Sequence, residues 1–165
     1  MTLTEITATA IEPALALLPA KMDSAPARVM LLSIGLQESR FVHRRQMGDG
    51  PARGFWQFER GGGAAGVCRH AASRDLMEQV CIARRCPFTP EDLWRRIEFD
   101  DVLAAAAARL LLWTDPYALP KAFNDHEAAW RLYERVWRPG KPHRQTWDGF
   151  HIQAVRFVTN TGDPA

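Results

Sequence analysis

Apolar residues recur at helical spacing along most of the chain, and helix start and stop signals divide that pattern into segments. The first segment covers residues 4–18, with Pro13 as the point where it breaks or begins its second half. The stretch Asp23-Ser24-Ala25-Pro26 offers capping residues and a proline suited to a first turn. A second helix is therefore predicted from residue 26 to residue 38 or 40. It is apolar on all sides, which indicates a central, buried helix.

The same signals predict the later helices. They cover residues 64–85 in two pieces, a helix beginning at Thr89-Pro90, and residues 99–113, 126–137 and 146–158. Five consecutive alanines, residues 104–108, allow close packing against a neighbour. Between residues 42 and 60, glycine, proline and basic residues indicate a loop or a short, irregular β-hairpin. Three glycines at 61–63 suggest a flexible segment at the edge of a cleft.

This pattern predicts a mainly α fold with at most a small β element. With 165 residues, the chain has the length of one domain. We expect a single domain over residues 1–165, in which residues 1–25 form an N-terminal helix and residues 159–165 a flexible tail.

Composition and charge exclude several classes of function. The formal net charge of +2 is too small to indicate nucleic-acid binding. No apolar run reaches the ~20 residues that a membrane span requires, so we expect no membrane insertion. The N-terminus lacks a basic region and is interrupted by Glu5, Glu12 and Pro13, which is unlike a secretory signal. We therefore expect synthesis in the cytoplasm, and any extracellular work needs another export route.

The cysteines and histidines do not predict a cofactor. Cys68, Cys81 and Cys86 are an odd set, so no complete disulfide framework follows from them. Together with His70 they form an unusual spacing for zinc, and buried thiols are the simpler interpretation. We expect no metal and no cofactor.

One carboxylate breaks the apolar stripe of the second helix. Leu31, Ile34 and Gly35 recur at helical spacing, and Glu38 takes the next position. A carboxyl group there is costly to bury unless it is protonated, paired or used. Protonated near neutral pH, it can serve as the general acid that glycosidic-bond cleavage requires. The structural alternative is an ion-paired helix end, with Arg40 or Arg44 as the partner.

Other residues are candidates for contacts with a substrate. Gly35, one turn before Glu38, leaves room for a bulky group over the helix face. Ser39 and Gln57 are placed to hydrogen-bond the carboxyl group or a sugar. Phe55, Trp56 and Tyr133 are candidates for stacking surfaces. Six tryptophans are many for this length; such an excess either lines a groove for flat ligands or fills the core.

Two motifs carry a resemblance to a known family. Gly35-Leu36-Gln37-Glu38-Ser39-Arg40-Phe41 is followed by Ala52-Arg53-Gly54-Phe55-Trp56-Gln57-Phe58. Together they resemble the lysozyme-like lytic transglycosylases of the SLT and goose-type lysozyme superfamily, with Phe55-Trp56 in place of the usual Leu-Met. Residues 130–147 resemble phage and prophage members. The third family motif, Ala-Tyr-Asn-Ala-Gly, is not clearly present, and residues 122–125 are a poor echo of it.

The resemblance spans residues 29–150 and implies a fold and a reaction. The fold would be a lysozyme-like α+β fold with a small irregular β or loop element after the catalytic helix. Glu38 would be the acid and base that cleaves the β-1,4 bond between N-acetylmuramic acid and N-acetylglucosamine, leaving a 1,6-anhydro product. Ser39 would orient Glu38, Gln57 would bind substrate, and Tyr133 is a candidate to replace the third motif.

The resemblance also implies partners and a place of action. The partner would be the glycan strands of peptidoglycan, cut in the periplasm or cell wall, and the phage-like features add phage tail proteins and a place in the virion. Two alternatives stay open. One is a hydrolytic lysozyme with Asp49 or Glu59 as second carboxylate. The other is a non-catalytic virion or wall-binding protein. The pairs Arg44-Arg45 and Arg84-Arg85 either contact acidic wall polymers or form solvated surface.

Overall fold

The computed structural model describes residues 1–48 and 50–161, and these form nine α-helices. The helices are α1 (Leu3–Ile6), α2 (Glu12–Ala16), α3 (Ala25–Ser39), α4 (Ala65–Arg69), α5 (Arg74–Ala83), α6 (Pro90–Arg96), α7 (Asp101–Trp113), α8 (His126–Trp137) and α9 (Arg144–Asn160). Two π turns (Thr7–Ile11 and Arg60–Ala64) and one 3-10 turn (Ala20–Met22) join them. The prediction of a mainly α fold is confirmed.

The N-terminal helical run passes through a π turn immediately before Pro13. Proline has no N–H group to donate to the preceding turn. The N–H of Glu12 bonds to the carbonyl of Thr7, five residues back, so the turn widens and the helix continues into α2. Pro13 therefore changes the geometry of this run without ending it.

Helix α3 is the central helix, as its apolar sequence predicted. Ser24 caps its first turn by accepting a hydrogen bond from the N–H of Ala27 (3.3 Å). Most of its side chains are buried, and it packs along α9 and against α7. The helix ends where Arg40 and Phe41 both adopt left-handed backbone conformations, with φ of 55° and 54°. These two residues turn the chain sharply away from the axis just after Glu38.

Helix α7 uses its alanine run for close packing. Residues 104–108 are fully buried, and the helix contacts the first π turn, α2 and α5. Asp100 caps it by accepting a hydrogen bond from the N–H of Leu103 (3.0 Å). Short side chains let several neighbouring backbones approach one helix, so the close packing that the sequence predicted is confirmed.

The segment after α3 is a loop fixed by ion pairs. Among the described residues it contains two isolated antiparallel bridges, Arg45 with Arg53 and Arg53 with Phe58, and no regular strand. Arg45 and Arg53 both pair with Glu98, at 2.6 and 3.2 Å. Gly54 has φ of 70°, and a Cβ there would lie 2.7 Å from the carbonyl oxygen of Ile97. The segment is therefore held by its ion pairs with Glu98 and by the close approach of Gly54 to the backbone of Ile97, and not by strand pairing.

Three further expectations change in detail. Residues 61–63 lie within the second π turn and lead into α4, so they do not form a separate flexible segment. Residues 159 and 160 belong to α9, whereas residues 162–165 lie outside the described part. The paired arginines are not simply solvated surface, because Arg44 pairs with Asp101 and Arg84 with Asp100.

A buried histidine pair joins α9 to its neighbours. The Nδ1 atom of His151 lies 3.0 Å from Ser33 Oγ, whose hydroxyl donates to the carbonyl of Val29. The rings of His126 and His151 meet edge to face at 5.0 Å. Burial and then the neighbouring His126 lower the pKa of His151 to about 4. The folded state therefore holds this imidazole neutral at mildly acidic pH.

We predict that acid destabilises the fold through His151. In the unfolded chain this group binds a proton below its ordinary pKa of 6.5, whereas the folded chain does not until about pH 4. Stability is thus fully present above the unfolded pKa and is lost as the pH falls towards 4. We expect the free energy of unfolding to drop by about 2 kcal/mol over that range through this group.

Urea unfolding as a function of pH measures this effect. The control is His151→Asn, which keeps a polar atom near Ser33 but cannot titrate, and which should show a flatter pH dependence despite a lower stability at neutral pH. An unchanged pH dependence in His151→Asn would show that another group is responsible.

Candidate active site

Glu38 lies in the last turn of α3, half-buried at the point where the loop and α8 meet the helix. Burial raises the pKa of its carboxyl group to about 7, a hydrogen bond from Tyr133 opposes the rise, and the charge of Glu59 adds to it. The C-terminal end of a helix also carries the negative end of its dipole, which disfavours a carboxylate. The group is therefore poised between its two protonation states near neutral pH.

Tyr133 is the hydrogen-bond partner of Glu38. Its hydroxyl donates to Glu38 Oε1 over 2.7 Å, and its ring stacks on Trp147 of α9 with centroids 5.0 Å apart. Trp130 contacts the same ring at 5.2 Å. Burial and the nearby Glu38 raise the pKa of Tyr133, so the phenol remains a neutral donor. This aromatic packing fixes the donor in place.

No cation neutralises Glu38 in the part of the chain that the structure describes. Of the two arginines proposed as partners, Arg44 pairs with Asp101, and Arg40 is exposed with its guanidinium over the ring of Phe150 at 5.8 Å. The structural alternative of an ion-paired helix end is therefore not realised. A carboxyl group with a neutral donor and no cation keeps a raised pKa.

Ser39 holds the loop to the end of α3. Its hydroxyl donates to the carbonyl of Phe55 (2.7 Å) and accepts a hydrogen bond from the N–H of Phe41 (3.1 Å). The predicted role of orienting Glu38 is thus corrected, because this hydroxyl serves backbone groups. Ser39 acts on the site by fixing the second motif against the helix end.

Gln57 lies at the turn of the second motif. Its side-chain N–H donates to the carbonyl of Gly54 over 2.8 Å, and its backbone is left-handed, with φ of 49°. Among the described residues its Oε1 makes no hydrogen bond. Substrate binding by Gln57 stays a prediction, and its free carbonyl oxygen is the atom available for it.

The predicted stacking surfaces are buried. Trp56 is fully buried and donates its indole N–H to the carbonyl of Leu31 over 2.9 Å. Phe55 and Tyr133 are also buried, at 2% and 3% exposure, so their faces are not open to a sugar. All three are core side chains that shape the site from beneath, and Trp137 is a half-buried aromatic beside them.

The space above Gly35 is filled by protein. A Cβ at this position would overlap the ring of Phe41, which is buried with its centroid 5.8 Å from the rings of both Phe55 and Trp56. The expectation that Gly35 makes room for substrate is therefore wrong. The glycine makes room for the residue that closes the turn after Glu38.

Glu59 and Asp49 are the two candidates for a second carboxylate. Glu59 is exposed, and its charge contributes to the raised pKa of Glu38. Asp49 lies outside the described residues.

The cysteines lie in the core around α4 and α5. All three are buried and free, and burial raises the thiol pKa of Cys68 to about 11 and of Cys81 to about 12. His70 accepts a hydrogen bond from the N–H of Ala72. No cluster of three or more potential ligands for a metal occurs within residues 1–48 and 50–161. These thiols are therefore protonated packing groups.

Two contacts at the site were not foreseen from the sequence. Gln37 donates to the carbonyl of His143 (3.1 Å) and accepts from Thr146, which ties α3 to the start of α9. Trp137 donates its indole N–H to the carbonyl of Trp56 (3.0 Å), which ties α8 to the second motif. Gln37 lies within the first motif, whereas Trp137 was not among the predicted site residues.

A cavity of about 230 Å³ lies elsewhere, between the first π turn, α3 and α9. The residues that line it include Thr7, Ile11, Leu32 and Phe157, and none of the predicted site residues is among them.

Among the described residues, no helix has the length and apolar character needed to cross a membrane. No known protein family, curated protein or solved structure matches this chain.

We predict that Gly35→Ala destabilises the protein by about 1–3 kcal/mol, because the new methyl group displaces the ring of Phe41. The matched control is Gly149→Ala in α9, where nothing lies within 4 Å of the new Cβ. There the better helix propensity of alanine should stabilise by about 0.5–1 kcal/mol. Chemical denaturation measures both. Equal stabilities of the two variants would show that Phe41 does not occupy this space in solution.

Proposed function

We propose that this chain is a peptidoglycan lytic transglycosylase in which Glu38 is the catalytic acid and base. The observation that carries the proposal is the half-buried carboxyl group of Glu38, with a pKa near 7 and a neutral hydrogen-bond donor as its partner. A general acid works best when its pKa lies close to the working pH. The two family-like motifs meet at this group, because Ser39 bonds the carbonyl of Phe55.

The proposed reaction needs one carboxyl group and the substrate. Glu38 gives its proton to the oxygen between N-acetylmuramic acid and N-acetylglucosamine as the bond from C1 to that oxygen breaks. The resulting carboxylate then takes the proton of the muramic 6-hydroxyl. The 6-oxygen attacks C1 and closes the 1,6-anhydro ring, and Glu38 ends protonated as it began. Tyr133 supports the carboxylate stage by donating its hydrogen bond.

A hydrolytic lysozyme is the second candidate function. It is favoured by Glu59, whose charge reaches Glu38 and which is exposed to the water that a hydrolase must activate. In either reaction the substrate is the glycan strand of peptidoglycan. We further propose that the protein is encoded by a phage or prophage, acts in the periplasm or cell wall, and contacts phage tail proteins.

We predict that Glu38→Gln lowers the rate of peptidoglycan clearing by at least about a hundredfold, since an amide cannot donate the proton. Glutamine keeps the shape of the side chain and can accept the hydrogen bond of Tyr133, so the fold should survive. Turbidity loss of purified sacculi measures the rate, and circular dichroism checks the fold. Clearing at the wild-type rate would show that Glu38 is not the catalytic acid, and binding of sacculi without clearing by the wild type would favour a wall-binding protein without turnover.

Mass spectrometry of the released fragments then separates the two reactions. The transglycosylase yields 1,6-anhydromuropeptides and should retain most of its activity in Glu59→Gln. Fragments with reducing ends, together with loss of activity in Glu59→Gln, would identify the hydrolase.

We also predict that Tyr133→Phe shifts the alkaline limb of the pH–rate profile to higher pH. The hydrogen bond from Tyr133 lowers the pKa of Glu38 by stabilising the ionised form, so its loss raises that pKa. Activity that requires protonated Glu38 falls as the pH rises through about 7 in the wild type, and should fall at higher pH in the variant.

The other tyrosine supplies the control. Tyr117 is 70% exposed, and Tyr117→Phe should leave the profile unchanged. A profile that does not move in Tyr133→Phe would mean that Glu38 is not the group titrating in that limb.

A further inference from the structure

The segment between α8 and α9 runs along the margin of the candidate active site. At one end Trp137, one turn after Tyr133, bonds to the carbonyl of Trp56. At the other end the carbonyl of His143 accepts from Gln37, the residue before Glu38. One anchor therefore follows Tyr133, the hydrogen-bond partner of Glu38, and the other is made by the neighbour of Glu38 in sequence, and residues 138–143 connect the two. Two prolines, Pro139 and Pro142, limit the backbone freedom of this margin.

This margin carries unneutralised positive charge. Arg138 and Lys141 are exposed, and within the described part of the chain neither forms a salt bridge with a carboxylate. Other arginines close by are paired: Arg135 with Asp115, and Arg144 with Asp148 and Glu127. The guanidinium of Arg138 makes one long bond, 3.4 Å, to the carbonyl of Arg135, which leaves most of its donors free.

We propose that residues 138–143 bind carboxylates of the peptides that branch from the glycan strand, beside the bond that Glu38 cleaves. This inference rests on the proposed function. The sugars of the strand are neutral, so two free cations beside the site gain nothing from them. The peptide substituents carry carboxylates, which pair with both lysine and arginine.

The test compares two substrates. One is native sacculi; the other is sacculi whose carboxylates have been converted to methylamides with a carbodiimide and methylamine, which leaves the glycan intact. Arg138→Gln/Lys141→Gln should lose about three- to tenfold in kcat/KM on native sacculi, as expected for two exposed ion pairs. On methylamidated sacculi the variant and the wild type should be equal. The wild-type advantage should also shrink as salt is added.

The control is Arg69→Gln/Arg74→Gln, which removes the same charge from exposed positions at the end of α4 and the start of α5. It should behave as the wild type on both substrates, and thermal unfolding should be alike for all three proteins. Equal losses on native and methylamidated sacculi, no loss on either, or a similar loss in the control would each overturn the proposal.

Binding separates this inference from the proposed reaction. In a Glu38→Gln background, cosedimentation with native sacculi should weaken on adding Arg138→Gln/Lys141→Gln, and cosedimentation with methylamidated sacculi should not. If Arg138→Gln/Lys141→Gln does not weaken binding to native sacculi, the inference is contradicted even when cleavage depends on Glu38. If it weakens binding to native sacculi only, but the protein with Glu38 intact cleaves nothing, the proposed reaction alone is contradicted.

Discussion

The hydrogen bond between Tyr133 and Glu38 is the contact on which the site depends. It joins α3, which carries Glu38 out of the core, to α8, whose tyrosine is stacked on Trp147 of α9. Helix α9 in turn packs along α3, so the three helices position one another. A cation in place of the phenol would stabilise the carboxylate far more strongly and lower its pKa. The neutral donor leaves the carboxyl group able to hold or release a proton near neutrality.

The loop after α3 depends on a different set of forces. Arg40, Phe41 and Gln57 adopt left-handed conformations that are unfavourable for residues with side chains. Such backbone strain persists only where surrounding contacts exceed its cost. Here the burial of Phe41 against Gly35, the hydroxyl of Ser39 and the ion pairs of Glu98 supply those contacts. The packing that holds these strained backbone conformations in place also fixes the loop against the end of α3 at the site.

The sequence predicted the helices well because their signals are local. A capping residue such as Ser24 or Asp100 bonds a backbone group three residues further along the chain. The apolar stripe of α3 likewise depends only on residues within the helix itself. The position of Glu38 on the helix followed from the same periodicity. The burial of Phe55 and Trp56 in the core could not be predicted in this way, because the direction of their side chains depends on backbone angles in the loop. The partner of Glu38 lies 95 residues away, and no pattern within a helix reports such a pairing.

The distribution of charge around Glu38 follows from which arginines are already paired. Arg44 is paired with Asp101 at the start of α7, and Arg45 and Arg53 with Glu98 just before it, so these arginines stabilise the loop and add little field at the site. Arg138 and Lys141 are exposed and form no salt bridge within the described residues, and they lie in the segment that follows α8. If the substrate is the proposed neutral polymer with anionic branches, this distribution of charge favours one orientation, with the backbone over Glu38 and the branches towards residues 138–143. Orientation of this kind acts before chemistry and reduces unproductive binding.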